Sequence, residues 1–197
     1  MASDNFEVRY SLAEIRVNDD GIAVEGHAAV FNEETDIGGM FREVISPGAF
    51  TDAVKNDDVR FLINHEGLPL ARTSSGTLTL TEDKRGLHIK TNLDPDDPDV
   101  QKIIPKMKRG DLDKMSFAFR AVKEEWDDSG DIPLRTIRQA ELFDVSIVND
   151  PAYPGTDIGL RSLDTFRKEQ KKTNFNAAAK RLRMKIDLGT RTKRTAD

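Results

Sequence analysis

The sequence predicts an α+β domain: a mostly antiparallel sheet closing into a β-barrel surrounded by a few helices, with a basic C-terminal extension. Three observations carry this expectation. Short apolar runs that alternate at period two recur along most of the chain and are separated by turn-forming residues. Only two or three segments show helical spacing, which leaves the strands as the main layer. The charge balance also shifts near the C-terminus, where residues 165–197 carry eleven Lys or Arg against three acidic residues, in a 197-residue chain whose formal net charge is −5. That length is enough for one domain with a sizeable core plus an extension.

Taken in order, residues 6–17 contain two short alternating runs. The turn signal Asn18–Gly21 leads into a strand over Ile22–Phe31. Thr35–Arg42, with Gly38 and Gly39, reads as a loop. Ser46 and Pro47 mark a helix start, since serine caps and proline suits the first helical position. Ala49, Phe50, Ala53 and Val54 then supply an apolar face that ends near Asn56, and Val59–Asn64 is a strand with His65 at its exit. Thr77–Thr81 and Leu87–Thr91 alternate on either side of a turn and predict a hairpin. Asp97 and Pro98 open a second helix with Gly110 as its stop, although Pro105 predicts a kink or a late start. Met115–Trp126 is a long strand and Leu134–Val148 its antiparallel partner, and residues 149–156 break the pattern. Phe166–Lys185 is expected to be helical in part, and the last dozen residues to be disordered.

Composition narrows the function. The acidic balance argues against a dedicated nucleic-acid binder. With no cysteine, disulfides, thiolate chemistry and cysteine metal sites are excluded, which fits a reducing compartment. No apolar run approaches the roughly 20 residues of a membrane span, and the first ten residues do not read as a signal peptide. An intracellular protein is the default. No zinc or nucleotide-loop motif is present, so no metal or cofactor is expected.

The residues suited to chemistry are a histidine, a serine and a carboxylate, in that chain order. Of the three histidines, His27 lies within a strand and reads as structural, and His88 lies in a hairpin strand and is expected to face solvent. His65, at a strand exit, is the one placed to face a cleft and act as a base. In the strand beginning KMSFAFRA, Met115, Phe117 and Phe119 share one face, leaving Ser116 beside Ala118 on a small, open one. A serine hydroxyl is a poor nucleophile unless an imidazole takes its proton, so Ser116 needs His65. Glu141 and Asp144 are candidates to orient that imidazole. Three positions apart on a regular strand, they would point to opposite faces. The alternative is that both face solvent or pair with Arg135 and Arg138.

Four blocks, in order, carry a resemblance: GMFREVISPGAF (Gly39–Phe50), VRFLINHEGLPLARTSSGTLTLTEDKRGLHI (Val59–Ile89), RGDLDKMSFAFRA (Arg109–Ala121) and RTIRQAELFDVSIVNDPAYPGT (Arg135–Thr156). Over about Ile22 to Thr156 the chain resembles the tailed-phage prohead protease family, which is similar in fold to the herpesvirus assembly proteases. The protease domain is thus expected over residues 1–160, and residues 161–197, outside the resemblance, read from their composition as a basic tail, partly helical and partly disordered. The resemblance implies a serine endopeptidase acting inside the assembling procapsid in the host cytoplasm. Its substrates would be the phage scaffold protein or the scaffolding domain of the major capsid protein, and itself. The resemblance is compatible with a homodimer; the absence of a membrane or direct nucleic-acid partner is the expectation that composition already set. Carried over by position, the histidine is His65 and the serine is Ser116. The third member falls in the ELFDVS block, where the herpesvirus relatives use a second histidine. No histidine follows His88 here, so Glu141, or alternatively Asp144, takes that role, or the site is a dyad. Backbone amides are the expected oxyanion donors, with Arg161 a further candidate. A competing reading is a catalytically silent morphogenetic protein of the same fold. The basic tail is either a solvated extension or a segment that docks on an acidic scaffold.

Overall fold

The computed structural model describes residues 6–11, 16–18, 23–149 and 156–194. The chain divides into two compact units, Met1–Thr156 and Asp157–Asp197, where the expected domain boundary lay between residues 160 and 161. In chain order the first unit contains β1 (Glu7–Ser11), β2 (Arg16–Val17), β3 (Ala23–Val30), β4 (Thr35–Ile37) and β5 (Phe41–Ile45). Then come α1 (Ala53–Asn56), β6 (Arg60–Ile63), β7 (Glu66–Arg72), β8 (Leu78–Glu82), β9 (Gly86–Asn92), α2 (Pro98–Arg109), β10 (Lys114–Asp127) and β11 (Leu134–Val148).

These strands form two sheets. One has seven strands in the order β1-β10-β11-β5-β4, with β6 also on β11 and β7 on β6; the other is the antiparallel β2-β3-β9-β8. The ladders describe two sheets where one closed, mostly antiparallel barrel was expected. The larger sheet is mixed, because β11 runs antiparallel to β10 but parallel to both β5 and β6. β11 spans fifteen residues, long enough to take two short partners end to end. Leu134–Ile137 pair with β5 and Asp144–Ile147 with β6. Nothing in period-two alternation distinguishes a parallel from an antiparallel partner.

The core lies on the Met115–Phe117–Phe119 face of β10, where all three side chains are buried. Phe50 meets Phe117 edge-on at 5.7 Å and stacks near Phe31 at 6.1 Å. Burying such side chains contributes about 1.5–3 kcal/mol each and holds β10 as a stiff platform. β1 is fixed beside β10 by a buried ionic cluster. Arg9 binds both carboxylate oxygens of Glu43, at 2.7 and 3.1 Å, and Glu7 at 2.6 Å. Arg135 bridges Glu7 at 2.6 and 2.9 Å and Glu43 at 2.9 Å. Each buried charge thus has opposite-charge, hydrogen-bonded partners, the condition for tolerating it in a core.

Several elements depart from the sequence expectation. The helix expected from Ser46 begins only at Ala53, because Gly48 takes φ +90° and residues 46–51 form successive i to i+3 turns. The expected loop over Thr35–Arg42 is the β4–β5 hairpin, turned by Gly38 and Gly39 at φ +62° and +70°. In α2 the Asp97 side chain accepts from the Asp99 N–H, Gly110 closes the helix in the left-handed region, and the helix runs on through Pro105 with no late start. The tail is the larger correction: α3 spans Thr156–Arg194 continuously, including most of the last dozen residues expected to be disordered. Of the sequence break over residues 149–156, positions 150–155 lie outside the described residues, as does most of the Asn18–Gly21 turn.

Candidate active site

His65 lies in the tight turn between β6 and β7, where Ile63 pairs with Glu66 and only Asn64 and His65 intervene. Both turn residues have positive φ, 52° and 62°, as the two-residue hairpin turn with right-handed strand twist demands. Asparagine and histidine are both among the non-glycine residues enriched in that region, and two hydrogen bonds to β11 help hold the turn there. The Asn64 N–H donates to the Ile147 carbonyl at 3.0 Å, and the His65 N–H to Ser146 Oγ at 3.2 Å. The turn is thereby fastened to the end of β11.

Ser116 lies on β10 opposite Ser146 on β11, and Ala118 lies opposite Asp144. Alternation therefore puts Ser116, Asp144 and Ser146 on one face, away from the phenylalanine core. β6 runs parallel to β11 on its other side and delivers the His65 turn over that face. The result is a continuous chain of hydrogen bonds: Ser116 Oγ is 2.7 Å from His65 Nε2, and His65 Nδ1 is 2.6 Å from Asp144 Oδ1. A carboxylate accepts, so the imidazole donates from Nδ1 and presents the Nε2 lone pair to the Ser116 hydroxyl. Ser116 Oγ also lies 2.8 Å from the Arg9 carbonyl, a second acceptor for the same proton. Ser116 is only 2% exposed, against 17% for the His65 side chain and 11% for that of Asp144, so water is largely excluded from these bonds.

The structure brings together His65, Ser116 and Asp144, and it does not bring in Glu141. The Glu141 carboxylate pairs with Arg120 at the surface. Nor do the alternative partners hold: Arg135 belongs to the buried Glu7–Glu43 cluster, and Arg138 binds Glu125 and Ser46. His27 binds Asp83 at 2.9 Å, and His88 packs edge-on to His27 at 5.0 Å rather than facing only solvent. Arg161 lies on α3, in the second unit. Sequence reasoning missed Ser146. The signal was present in Asp144-Val145-Ser146, because a serine two positions from a carboxylate shares its face on any strand. Among the described residues, no group of three His, Asp or Glu side chains is arranged to hold a metal ion. A cleft of about 320 Å³ borders the His65 turn, lined by Ile63, Asn64, Ile103, Lys106, Leu112 and Asn149 among others.

A serine linked through an imidazole to a buried carboxylate is the apparatus of nucleophilic acyl transfer, here on an α+β fold of two sheets. The chain belongs to the caudovirus prohead serine protease family, whose model matches residues 8–169. It is 33% identical over 106 residues to the prohead protease of Enterobacteria phage HK97, a match covering 52% of this chain and 44% of that protein. The matched region thus spans less than half the length of the relative. No solved structure matches the chain.

Proposed function

We propose that this chain is a serine endopeptidase of phage prohead maturation, acting on scaffold protein or on the scaffolding part of the capsid protein, and on itself. The observation that carries this reading is the unbroken Ser116–His65–Asp144 hydrogen-bond chain in a member of that protease family. Ser116 is the nucleophile. His65 Nε2 takes its proton as Oγ attacks the peptide carbonyl, and the imidazolium that forms is stabilised by Asp144. His65 then gives the proton to the departing amine. Water enters, His65 serves again as base, and the acyl-enzyme is hydrolysed. Asp144 replaces Glu141 as the third member. The productive rotamer of the hydroxyl points at His65 and leaves the Arg9 carbonyl. The cleft beside Asn64 offers room for a substrate side chain.

The near-complete burial of Ser116 supports a site that opens only in its working assembly, in the prohead, where association at high local concentration favours a dimer by mass action. A dilute monomer as active per molecule as the concentrated protein excludes that control.

The test is co-expression with the neighbouring capsid and scaffold proteins, comparing wild type with Ser116→Ala by intact mass. Truncated capsid or scaffold with the wild type alone supports the reading, and the new termini define the specificity. Identical full-length products under conditions where proheads form reject it in favour of a catalytically silent member of the family.

A further inference from the structure

Ser146 is fully buried on β11, directly across the ladder from Ser116. Its hydroxyl makes three contacts, all with His65 or Asp144. It accepts the His65 backbone N–H at 3.2 Å, donates to Asp144 Oδ1 at 2.8 Å, and lies 3.2 Å from His65 Nδ1. A buried serine on a strand ordinarily satisfies itself on a nearby carbonyl; here no carbonyl is involved.

Each contact has a consequence. His65 is in the left-handed region within a two-residue turn, so its N–H lies outside the β6–β7 ladder, and Ser146 Oγ supplies the acceptor. The single proton of Ser146 goes to Asp144, which aims that carboxylate oxygen. The remaining lone pairs of Ser146 face the Nδ1–H, so the imidazole meets two acceptors on its Nδ1 side and keeps Nε2 free. One hydroxyl therefore references the backbone of the base, its ring and its carboxylate to a single atom.

We infer that Ser146 is a positioning residue for the reaction, holding the His65 turn and the Asp144 carboxylate in one frame so that Nε2 faces Ser116. This rests on the protease reading above. It predicts that Ser146→Ala lowers kcat about tenfold to a hundredfold, the loss typical of a base displaced by a fraction of an ångström to one ångström, with KM changed less than twofold. Asp144, no longer aimed at Nδ1, should hold the imidazolium less firmly, so the acid limb of the kcat/KM profile should move to lower pH. Ser146→Thr, which keeps the hydroxyl, should restore both.

The experiment uses the full chain. It measures kcat and KM across pH for wild type and for the Ala, Cys and Thr variants, on a peptide spanning a mapped cleavage site. Alongside, the His65 imidazole nitrogens are followed by long-range 15N–1H NMR, which needs no turnover. A single Nδ1–H tautomer in the wild type that becomes mixed in Ser146→Ala is the expected result. A folded Ala variant within twofold of wild type overturns the inference. So does one that loses activity with an unmoved acid limb and an unchanged imidazole spectrum, since a merely structural serine would behave so. If Ser146→Ala does not fold, Ser146→Cys decides by the same two readouts. If the wild type cleaves nothing and Ser116 resists a fluorophosphonate, the protease reading fails on its own. The NMR spectrum then still decides Ser146, a mixed tautomer in the wild type overturning its role.

Discussion

Asp144 and Glu141 lie on the same face of β11 although three positions separate them. Ala118 pairs with Asp144 and Phe119 with Leu142, so Phe143 is an extra residue, a bulge that shifts the alternation by one. Glu141 then stands opposite Arg120, on the face that also carries Ala118 and Ser116. Facing does not exclude Glu141 from the site; distance along the strand does, since its carboxylate is engaged by Arg120 two ladder steps away.

The two carboxylates should therefore separate cleanly on substitution. Asp144→Asn offers Nδ1 a donor where it needs an acceptor, favours the wrong imidazole tautomer, and should lower kcat by about 10⁴-fold, as in other triads. Glu141→Gln removes only an exposed ion pair and should leave kcat within twofold. Steady-state rates on one peptide check both, and a large loss in Glu141→Gln with little in Asp144→Asn would reverse the assignment.

The turn that carries His65 predicts a stability effect at its neighbour. Asn64 sits at φ 52°, and its Oδ1 accepts the Asn149 N–H at 3.3 Å. Asn64→Ala loses that bond and puts in the left-handed region a residue without the short polar side chain that lets asparagine visit it, costing about 1–2 kcal/mol. Asn64→Gly loses the bond but not the conformational fit, and should be the milder change. Urea midpoints of the two variants give the order, and an alanine variant more stable than the glycine one contradicts it.

What the sequence made legible follows from where the information is local. The β8–β9 hairpin, the β10–β11 pair and both ends of α2 are written in alternation, turn residues and caps within a few positions of where they act. His65 and Ser116 were legible for the same reason: one at a strand exit, the other on the open face of an amphipathic strand. The choice between Glu141 and Asp144 was not, because a single bulge at Phe143 undoes the alternation argument and no residue type announces it. The parallel pairing of β11 with β5 and β6, and the Glu7–Arg9–Glu43–Arg135 cluster, join residues up to 128 positions apart. Local pattern carries no trace of such contacts.

That cluster predicts a large penalty for breaking it singly. Burial works against the Arg135 charge, yet its hydrogen bonds to Glu7 and the charges of Glu43, Glu7 and Glu124 hold its pKa above the ordinary arginine value. Arg135→Met leaves Glu7 and Glu43 buried with Arg9 alone, and should cost about 3–5 kcal/mol. The exposed pair is the control: Arg120→Met, freeing Glu141 at the surface, should cost less than about 1 kcal/mol. Equal losses in urea unfolding would show that the buried cluster is not what anchors β1 and β11.

The acid side of the stability profile should report on Asp83, at the turn between β8 and β9. Its partial burial would raise its pKa, but the Gly86 N–H, the His27 ring and the Arg85 N–H outweigh that and lower it to about 2. The contacts are 2.9 Å to Gly86, 2.9 Å to His27 and 2.7 Å to Arg85. A carboxylate whose folded pKa lies below its unfolded value of about 3.9 adds stability above that unfolded value. The contribution is lost as pH falls through the folded value, so the window runs from about pH 4 down to about pH 2. The side chain is 45% exposed, so solvent screening keeps the effect modest. Asp83→Asn should be less stable than wild type at pH 7, and the gap between their urea midpoints should close across that window. A gap that stays constant from pH 7 to pH 2 would mean that the turn is held by its backbone geometry and not by the carboxylate charge.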